Sequence, residues 1–159
     1  MPPLRIGMFG GGVVGGGVYE IVETVKKAFF QSIGANVTIV KICVRDASKP
    51  RSFVVGAHTT IVTDYEAILG DSSINCVIEL MGGTTHAKDV VFEAIRRGKS
   101  VITANKALLA EYLPTIRTLL KENAGVSLAY EAAVCGGAYA VRFTRNSFSS
   151  RMRPGGKPS

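Results

Sequence analysis

A chain of 159 residues, 47% of them apolar and 19% charged, is long enough for one domain with a real core and has the composition of a globular protein. No apolar run reaches bilayer length, and no leader with a charged start, an apolar middle and a small-residue end opens the chain. The formal charge of +7 invites a nucleic-acid partner, but residues 142–159 hold five of the 19 basic residues (Arg142, Arg145, Arg151, Arg153, Lys157) and none of the 12 acidic ones, so the first 141 residues carry only +2. The basicity belongs to a tail and not to a domain face, which argues against nucleic acid.

The expected organisation is a single domain over 1–141 and a basic tail over 142–159. The tail is expected to be disordered from about Asn146, being rich in Ser, Gly, Pro and Arg without strand or helix periodicity. The expected location is the cytoplasm, or a plastid if a transit segment is missing from the sequence. The three cysteines, Cys43, Cys76 and Cys135, form no C-x-x-C pair and no cluster with histidine. They read as buried free thiols of a reducing compartment.

Leu4 to Phe9 is an apolar first strand. It runs into a stretch with six glycines in eight positions, Gly10 to Gly17. Gly10, Gly12 and Gly15 fit the G-x-G-x-x-G spacing of a dinucleotide-binding turn. In such a turn the first glycine lets the chain leave the strand sharply. The second admits a pyrophosphate to the backbone, and the third lets helix and strand pack closely. A flexible glycine loop would match the spacing too. The context favours the turn, because Val14, Val18, Ile21, Val25 and Phe29 then recur as one stripe of a helix running to about Ser32 and stopped by Gly34. Strand, glycine turn and helix follow in the order that anion binding at a helix N-terminus requires.

Val37 to Val44 reads as a second parallel strand, buried on both faces. Arg45 and Asp46 follow at its end. There an acid would bind the ribose 2′-hydroxyl of NAD, and an arginine the 2′-phosphate of NADP. Lys49 and Arg51 lie close behind, and three cations against one acid lean towards NADP, with NAD the alternative. Lys49 and Arg51 read equally as solvated loop charges.

A loop covers Ser48 to His58. A short helix, Tyr65 to Leu69, is capped by Thr63 or Asp64 and ended by Gly70. Asn75 to Met81 is a third strand, leading into Gly82-Gly83-Thr84-Thr85. Thr84 or Thr85 caps the next helix, whose inward face is Ala87, Val90, Val91, Ala94 and Ile95. Ser100 to Thr103 is a fourth strand. Lys106 falls where that strand gives way to a helix. A cation at a helix N-terminus is electrostatically unfavourable, which points to a functional role. Pro114 opens a further helix, with Ile116, Leu119 and Leu120 inward, and Val126 to Tyr130 is a fifth strand. Strands alternating with helices predict an α/β, Rossmann-type doubly wound parallel sheet.

Five blocks together resemble homoserine dehydrogenase: Phe9 to Val18, Val44-Arg45-Asp46, Glu79-Leu80-Met81-Gly82-Gly83, Gly98 to Ala110 with its Thr103-Ala104-Asn105-Lys106-Ala107-Leu108-Leu109-Ala110 core, and Tyr130-Glu131-Ala132-Ala133-Val134-Cys135-Gly136-Gly137. The resemblance covers residues 4 to about 137, the cofactor-binding region. It implies hydride transfer between NAD(P)H and L-aspartate 4-semialdehyde, giving L-homoserine on the route to threonine, methionine and isoleucine. By that resemblance Gly10, Gly12, Val13, Val14 and Gly15 hold the pyrophosphate, and Arg45 meets the 2′-phosphate. Gly82, Gly83, Thr84, Asn105 and Lys106 line the nicotinamide end, and Lys106 also serves the substrate or the developing alkoxide. Glu131, Val134, Gly136 and Ala138 match the positions that bind a monovalent cation, usually sodium.

The family continues into a substrate and dimerisation domain that the sequence after Gly137 does not match. The switch of pattern reads as a truncated or frame-shifted product that binds NADP(H) and turns over homoserine poorly. Two other readings stand beside it: a non-catalytic NADP(H)-binding or sensor module working through a partner chain, and nucleic-acid binding by the tail.

Overall fold

The computed structural model describes residues 3–130. They form six strands and four helices: β1 Leu4–Phe9, α1 Val13–Ile33, β2 Val37–Cys43, β3 Thr60–Val62, α2 Glu66–Leu69, β4 Cys76–Glu79, α3 Thr85–Arg96, β5 Ser100–Thr103, α4 Lys106–Glu122 and β6 Leu128–Ala129. The sheet has the order β3-β2-β1-β4-β5-β6 and every pairing is parallel. The chain starts in the middle, builds outward through β2 and β3, then crosses back to lay β4 on the other side of β1. The strand order therefore reverses between β1 and β4, and a crevice opens there at the carboxyl ends of the strands. This is the expected α/β doubly wound architecture.

Each face of the sheet has its own core. On one, Tyr19, Val22 and Phe29 of α1 pack on Leu4, Ile6, Met8 and Ile39. On the other, Val90, Val91, Ala94 and Ile95 of α3 join Leu108, Ile116 and Leu119 of α4 against Phe9, Val77 and Val101. The inward face expected for α3 is the buried one. That of α1 is not. Val14 is 61% and Ile21 40% exposed, while Gly15, Gly16, Tyr19 and Val22 turn to the sheet. The helix presents glycines there because Gly15 lies against the Gly10 carbonyl at the end of β1 and Gly16 against the Phe53 ring, with no room for side chains. Tyr19, a polar-tipped residue that an apolar count passes over, fills the space beyond them.

β3 is a strand that sequence periodicity did not indicate, because it is three residues long and only part-buried. Phe53, within the connection from β2 to β3, packs on α1, its ring centroid 5.5 Å from that of Tyr19. The Tyr19 hydroxyl accepts from the Gly56 N–H at 2.9 Å and bonds Thr59 Oγ1 at 3.2 Å, and Thr59 Oγ1 donates to the Ile39 carbonyl at 2.6 Å. One hydroxyl pair thus ties the loop to both α1 and β2.

β2 contains a bulge. Ile6 pairs with Ile39 but Gly7 pairs with Lys41, leaving Val40 as the extra residue. The alternation inverts there, so that Lys41 faces α2. Its ammonium donates to the Ala67 carbonyl and pairs with Asp71, both at 2.8 Å.

Two helix expectations change. Pro114 lies inside the continuous helix α4 rather than opening a new one. It sits on the exposed side, where the loss of one backbone bond is tolerated. Thr84 precedes α3, but its backbone is already helical (φ −114°, ψ −30°) and its hydroxyl makes no capping bond. Asp64 does receive the Glu66 N–H, at 3.0 Å, as expected for α2.

Candidate functional site

The glycine turn leaves β1 at Gly10, whose φ of 109° is closed to ordinary side chains. A Cβ there would stand 2.7 Å from the Leu80 carbonyl oxygen, so the turn lies directly against the end of β4. A Cβ on Gly15 would stand 2.2 Å from the Gly10 carbonyl oxygen. Gly12 differs: its backbone is extended and a Cβ would meet nothing within 4 Å. That open space lies before the first turn of α1, which has neither an acidic residue nor a side-chain cap. The N–H groups of Val13, Val14 and Gly15 have no carbonyl four residues back within the helix. Open space facing free N–H groups and the positive helix end suits an anionic group such as a pyrophosphate in charge. Val13, 87% exposed, and Val14 form its lip.

Arg45 is exposed just beyond β2, at the same carboxyl edge. Asp46, exposed beside it, has one carboxylate oxygen engaged within its own turn. The Ser48 hydroxyl and N–H donate to its Oδ1 at 2.7 and 2.9 Å, and these bonds hold its carboxyl below the usual range. The acid that would select a 2′-hydroxyl is thus engaged within its own turn. Arg51 is neither a solvated loop charge nor a free cation. Its guanidinium donates to the carbonyls of Asp46 (2.8 Å), Lys49 (2.8 Å) and Ala47 (3.3 Å). Its Nε is buried with no partner among the described residues, on the Gly11 side of the loop. Of the three cations counted from sequence, Arg51 shapes the loop, and Arg45 and Lys49 remain exposed.

Across the crevice, Gly82 and Gly83 both adopt left-handed backbone, with φ of 74° and 69°. Beside them Asn105 caps α4. Its Oδ1 accepts from the Leu108 N–H at 3.0 Å, and its Nδ2 donates to the Gly83 carbonyl at 2.5 Å. Lys106 is the first residue of the helix and is exposed. The structure therefore brings Gly10, Gly12, Val13, Val14, Gly15, Arg45, Gly82, Gly83, Thr84, Asn105 and Lys106 to one edge of one sheet. Glu131, Val134, Gly136 and Ala138, and Cys135 with them, lie outside the described residues. Among the described residues no cluster of His, Cys, Asp and Glu could hold a metal ion. Nor is any helix there long and apolar enough to cross a membrane. Cys43 and Cys76 are buried free thiols, and burial pushes their pKa values up to about 11 and about 12, with the charge of Asp64 adding to the shift at Cys43.

One residue of the site had no role assigned from sequence. Glu79, the last residue of β4, is completely buried. Its carboxylate accepts from the Met81 N–H at 2.8 Å and from the Thr103 hydroxyl at 2.6 Å. The available signal was an acid ending an otherwise apolar strand.

The family model for the NAD-binding domain of homoserine dehydrogenase matches residues 10–131. The chain belongs to this family. It is 33% identical to the homoserine dehydrogenase of Bacillus subtilis over 150 residues, which are 94% of this chain and 34% of that protein. It is also similar to the crystal structure of Staphylococcus aureus homoserine dehydrogenase at pH 7.5, with 36% identity and a TM-score of 0.77 over 84% of this chain and 34% of that one. A hyperthermophilic archaeal homoserine dehydrogenase, solved in complex with NADPH, shares the fold at 18% identity and a TM-score of 0.62, over 84% of this chain and 45% of that one. The chain spans about a third of the length of the curated relatives it matches. What it covers is the NAD-binding domain of an oxidoreductase family.

Proposed function

We propose that this chain is the cofactor-binding part of a homoserine dehydrogenase and that it holds NADP(H) across the β1/β4 crevice. The observation that carries the reading is the open cradle at Gly12, backed by the uncapped first turn of α1. The N–H groups of Val13, Val14 and Gly15 would receive the pyrophosphate. The guanidinium of Arg45 would receive the adenosine 2′-phosphate as a bidentate pair, while one oxygen of the Asp46 carboxylate is engaged by Ser48. The NADPH-bound archaeal neighbour supports a phosphorylated cofactor on this fold. Gly82, Gly83, Thr84 and Asn105 would border the nicotinamide, which when bound supplies or takes the hydride. Lys106 would place its ammonium at the oxygen of L-aspartate 4-semialdehyde, favouring the negative charge that develops there as L-homoserine forms.

The remainder of the reaction needs groups that position the aldehyde and move a proton, and positioning is a large share of any rate enhancement. The 159 residues by themselves are expected to bind the cofactor and turn over homoserine poorly. A monovalent cation at Glu131, Val134, Gly136 and Ala138, a homodimer formed through the rest of the enzyme, and a cytoplasmic location belong to the same proposal and rest on the family alone.

Thermal stabilisation by NADPH against NADH tests it. NADPH is expected to raise the melting temperature more than NADH, and Arg45→Ala to remove the difference. No shift with either cofactor overturns the reading.

A further inference from the structure

Glu79 has no direct place in the cradle, yet it is a completely buried acid in a strand otherwise made of Cys76, Val77 and Ile78. An apolar residue would satisfy that strand without the cost of desolvating a carboxylate. The bonds around it show what the acid does. Its Oε1 takes the N–H of Met81, the residue before the Gly82-Gly83 turn. Its Oε2 takes the hydroxyl proton of Thr103, the last residue of β5. With that proton committed, Thr103 Oγ1 is free to accept the Asn105 N–H at 3.0 Å. Asn105 then reaches forward to cap α4 and sideways to the Gly83 carbonyl. The network closes on itself: one carboxylate reaches the glycine turn from β4 directly and from β5 through Thr103 and Asn105.

We propose that Glu79 is a positioning residue for the nicotinamide side of the site, holding the Gly82-Gly83 turn and the Asn105-Lys106 start of α4 in mutual register. The inference rests on the proposed cofactor reading and deepens it. The adenosine side, built from the Gly10 to Gly15 turn and Arg45, is tied to β2 through the Gly10 N–H to the Cys43 carbonyl at 3.0 Å, and it touches the end of β4 where Gly10 packs on the Leu80 carbonyl and the Leu80 N–H donates to the Phe9 carbonyl at 2.8 Å. The side-chain bonds of Glu79 itself go to Met81 and Thr103, on the nicotinamide side. A carboxamide at position 79 would break the arrangement by proton count. With its oxygen on the Met81 N–H, its NH2 would donate into the second lone pair of Thr103 Oγ1, and the buried threonine proton would lose its acceptor.

The test compares two ligands, NADPH and 2′-phospho-ADP-ribose, which lacks the nicotinamide. Dissociation constants are measured by calorimetry for the 159-residue chain and for Glu79→Gln, Thr103→Ser and Thr103→Val. Glu79→Gln is expected to weaken NADPH on the order of tenfold and to leave 2′-phospho-ADP-ribose within about twofold of the unsubstituted chain. Thr103→Ser keeps the hydroxyl and is expected to match the unsubstituted chain with both ligands, whereas Thr103→Val is expected to follow Glu79→Gln. If Glu79→Gln does not fold, the Thr103 pair carries the same comparison with the carboxylate in place. Equal loss of both ligands, or loss of neither, overturns the positioning role while leaving cofactor binding standing. Equal affinity of the unsubstituted chain for the two ligands overturns it too. Failure of the unsubstituted chain to bind either ligand overturns the cofactor reading and this inference with it.

Discussion

The carbonyl oxygen of Gly10 lies where a Cβ on Gly15 would approach to 2.2 Å. Backbone meets helix with no room for a methyl group, and neither partner is a flexible side chain that could swing aside. Gly15→Ala is therefore expected to destabilise the ligand-free chain by roughly 2 kcal/mol, lowering its melting temperature by about 4–8 °C. Gly17, in the same helix, faces open space. Gly17→Ala is expected to raise stability by about 0.5–1 kcal/mol. Thermal melts of the two variants side by side check the pair of signs.

Gly12 separates binding from folding. Its backbone is extended and its missing side chain would enter the cradle without touching protein. Gly12→Ala is expected to leave the ligand-free melting temperature nearly unchanged and to weaken NADPH on the order of tenfold or more. Calorimetric titration with NADPH checks it.

Arg51 organises the loop that carries Arg45 and Lys49 by donating to three of its carbonyls. A lysine presents one point charge instead of a planar fork and cannot make that set of bonds. Arg51→Lys is accordingly expected to behave like Arg51→Ala. Both should speed amide hydrogen exchange over residues 46–49 and weaken NADPH several-fold, with little effect on NADH. Exchange followed by mass spectrometry reads the first effect, and paired titrations the second.

The acid limb of stability should depend on Asp71. The Lys41 ammonium, then the Ser73 hydroxyl and N–H, hold its carboxyl far below its ordinary value of 3.8. A carboxyl lowered on folding contributes stability that is present above about pH 3.8 and is lost as pH falls below it. Asp71→Asn should cost stability at pH 7 and flatten the fall below pH 4, as measured by urea midpoints across the acid range.

The alkaline limb runs the other way. Cys76 is raised to about 12 by burial, and Cys43 to about 11, so an unfolded chain ionises its thiols first. Stability is full below about pH 9 and falls above it, by about 1.4 kcal/mol per pH unit for each thiol. Burial lowers the ammonium of Lys99, which donates to the carbonyls of Asp71 and Ile74. Its lowered pKa opposes the fall, because stability rises with pH as the buried ammonium gives up its proton before the unfolded one does. Cys76→Ala should reduce the slope between pH 9 and 11, read from denaturant midpoints.

Much of this was legible in the residues. β1, β5, the inward face of α3 and the stop of α1 at Gly34 follow from local pattern, because each depends on neighbours three or four positions away. The phase of α1 was not legible. Val14 and Ile21 look like core by hydropathy, but close approach to β1 selects Gly15 and Tyr19. β3 was hidden by its shortness. Pro114 read as a helix start because proline favours a first turn, whereas on the exposed side of α4 its missing bond is tolerated.

The sequence by itself determined the class of fold, the glycine turn and the gathering of Arg45, Gly82, Gly83, Asn105 and Lys106 at one sheet edge, since the succession of strand, turn and helix along the chain and the chemistry of the turns are local properties. Only the tertiary structure decided which cations remain free, that Lys41 crosses to the α2 side at the Val40 bulge, and that Glu79 bonds both the Met81 N–H and the Thr103 hydroxyl. Those outcomes depend on hydrogen bonds between residues far apart in the chain, such as Glu79 and Thr103, and no local spacing encodes which buried acid meets which hydroxyl.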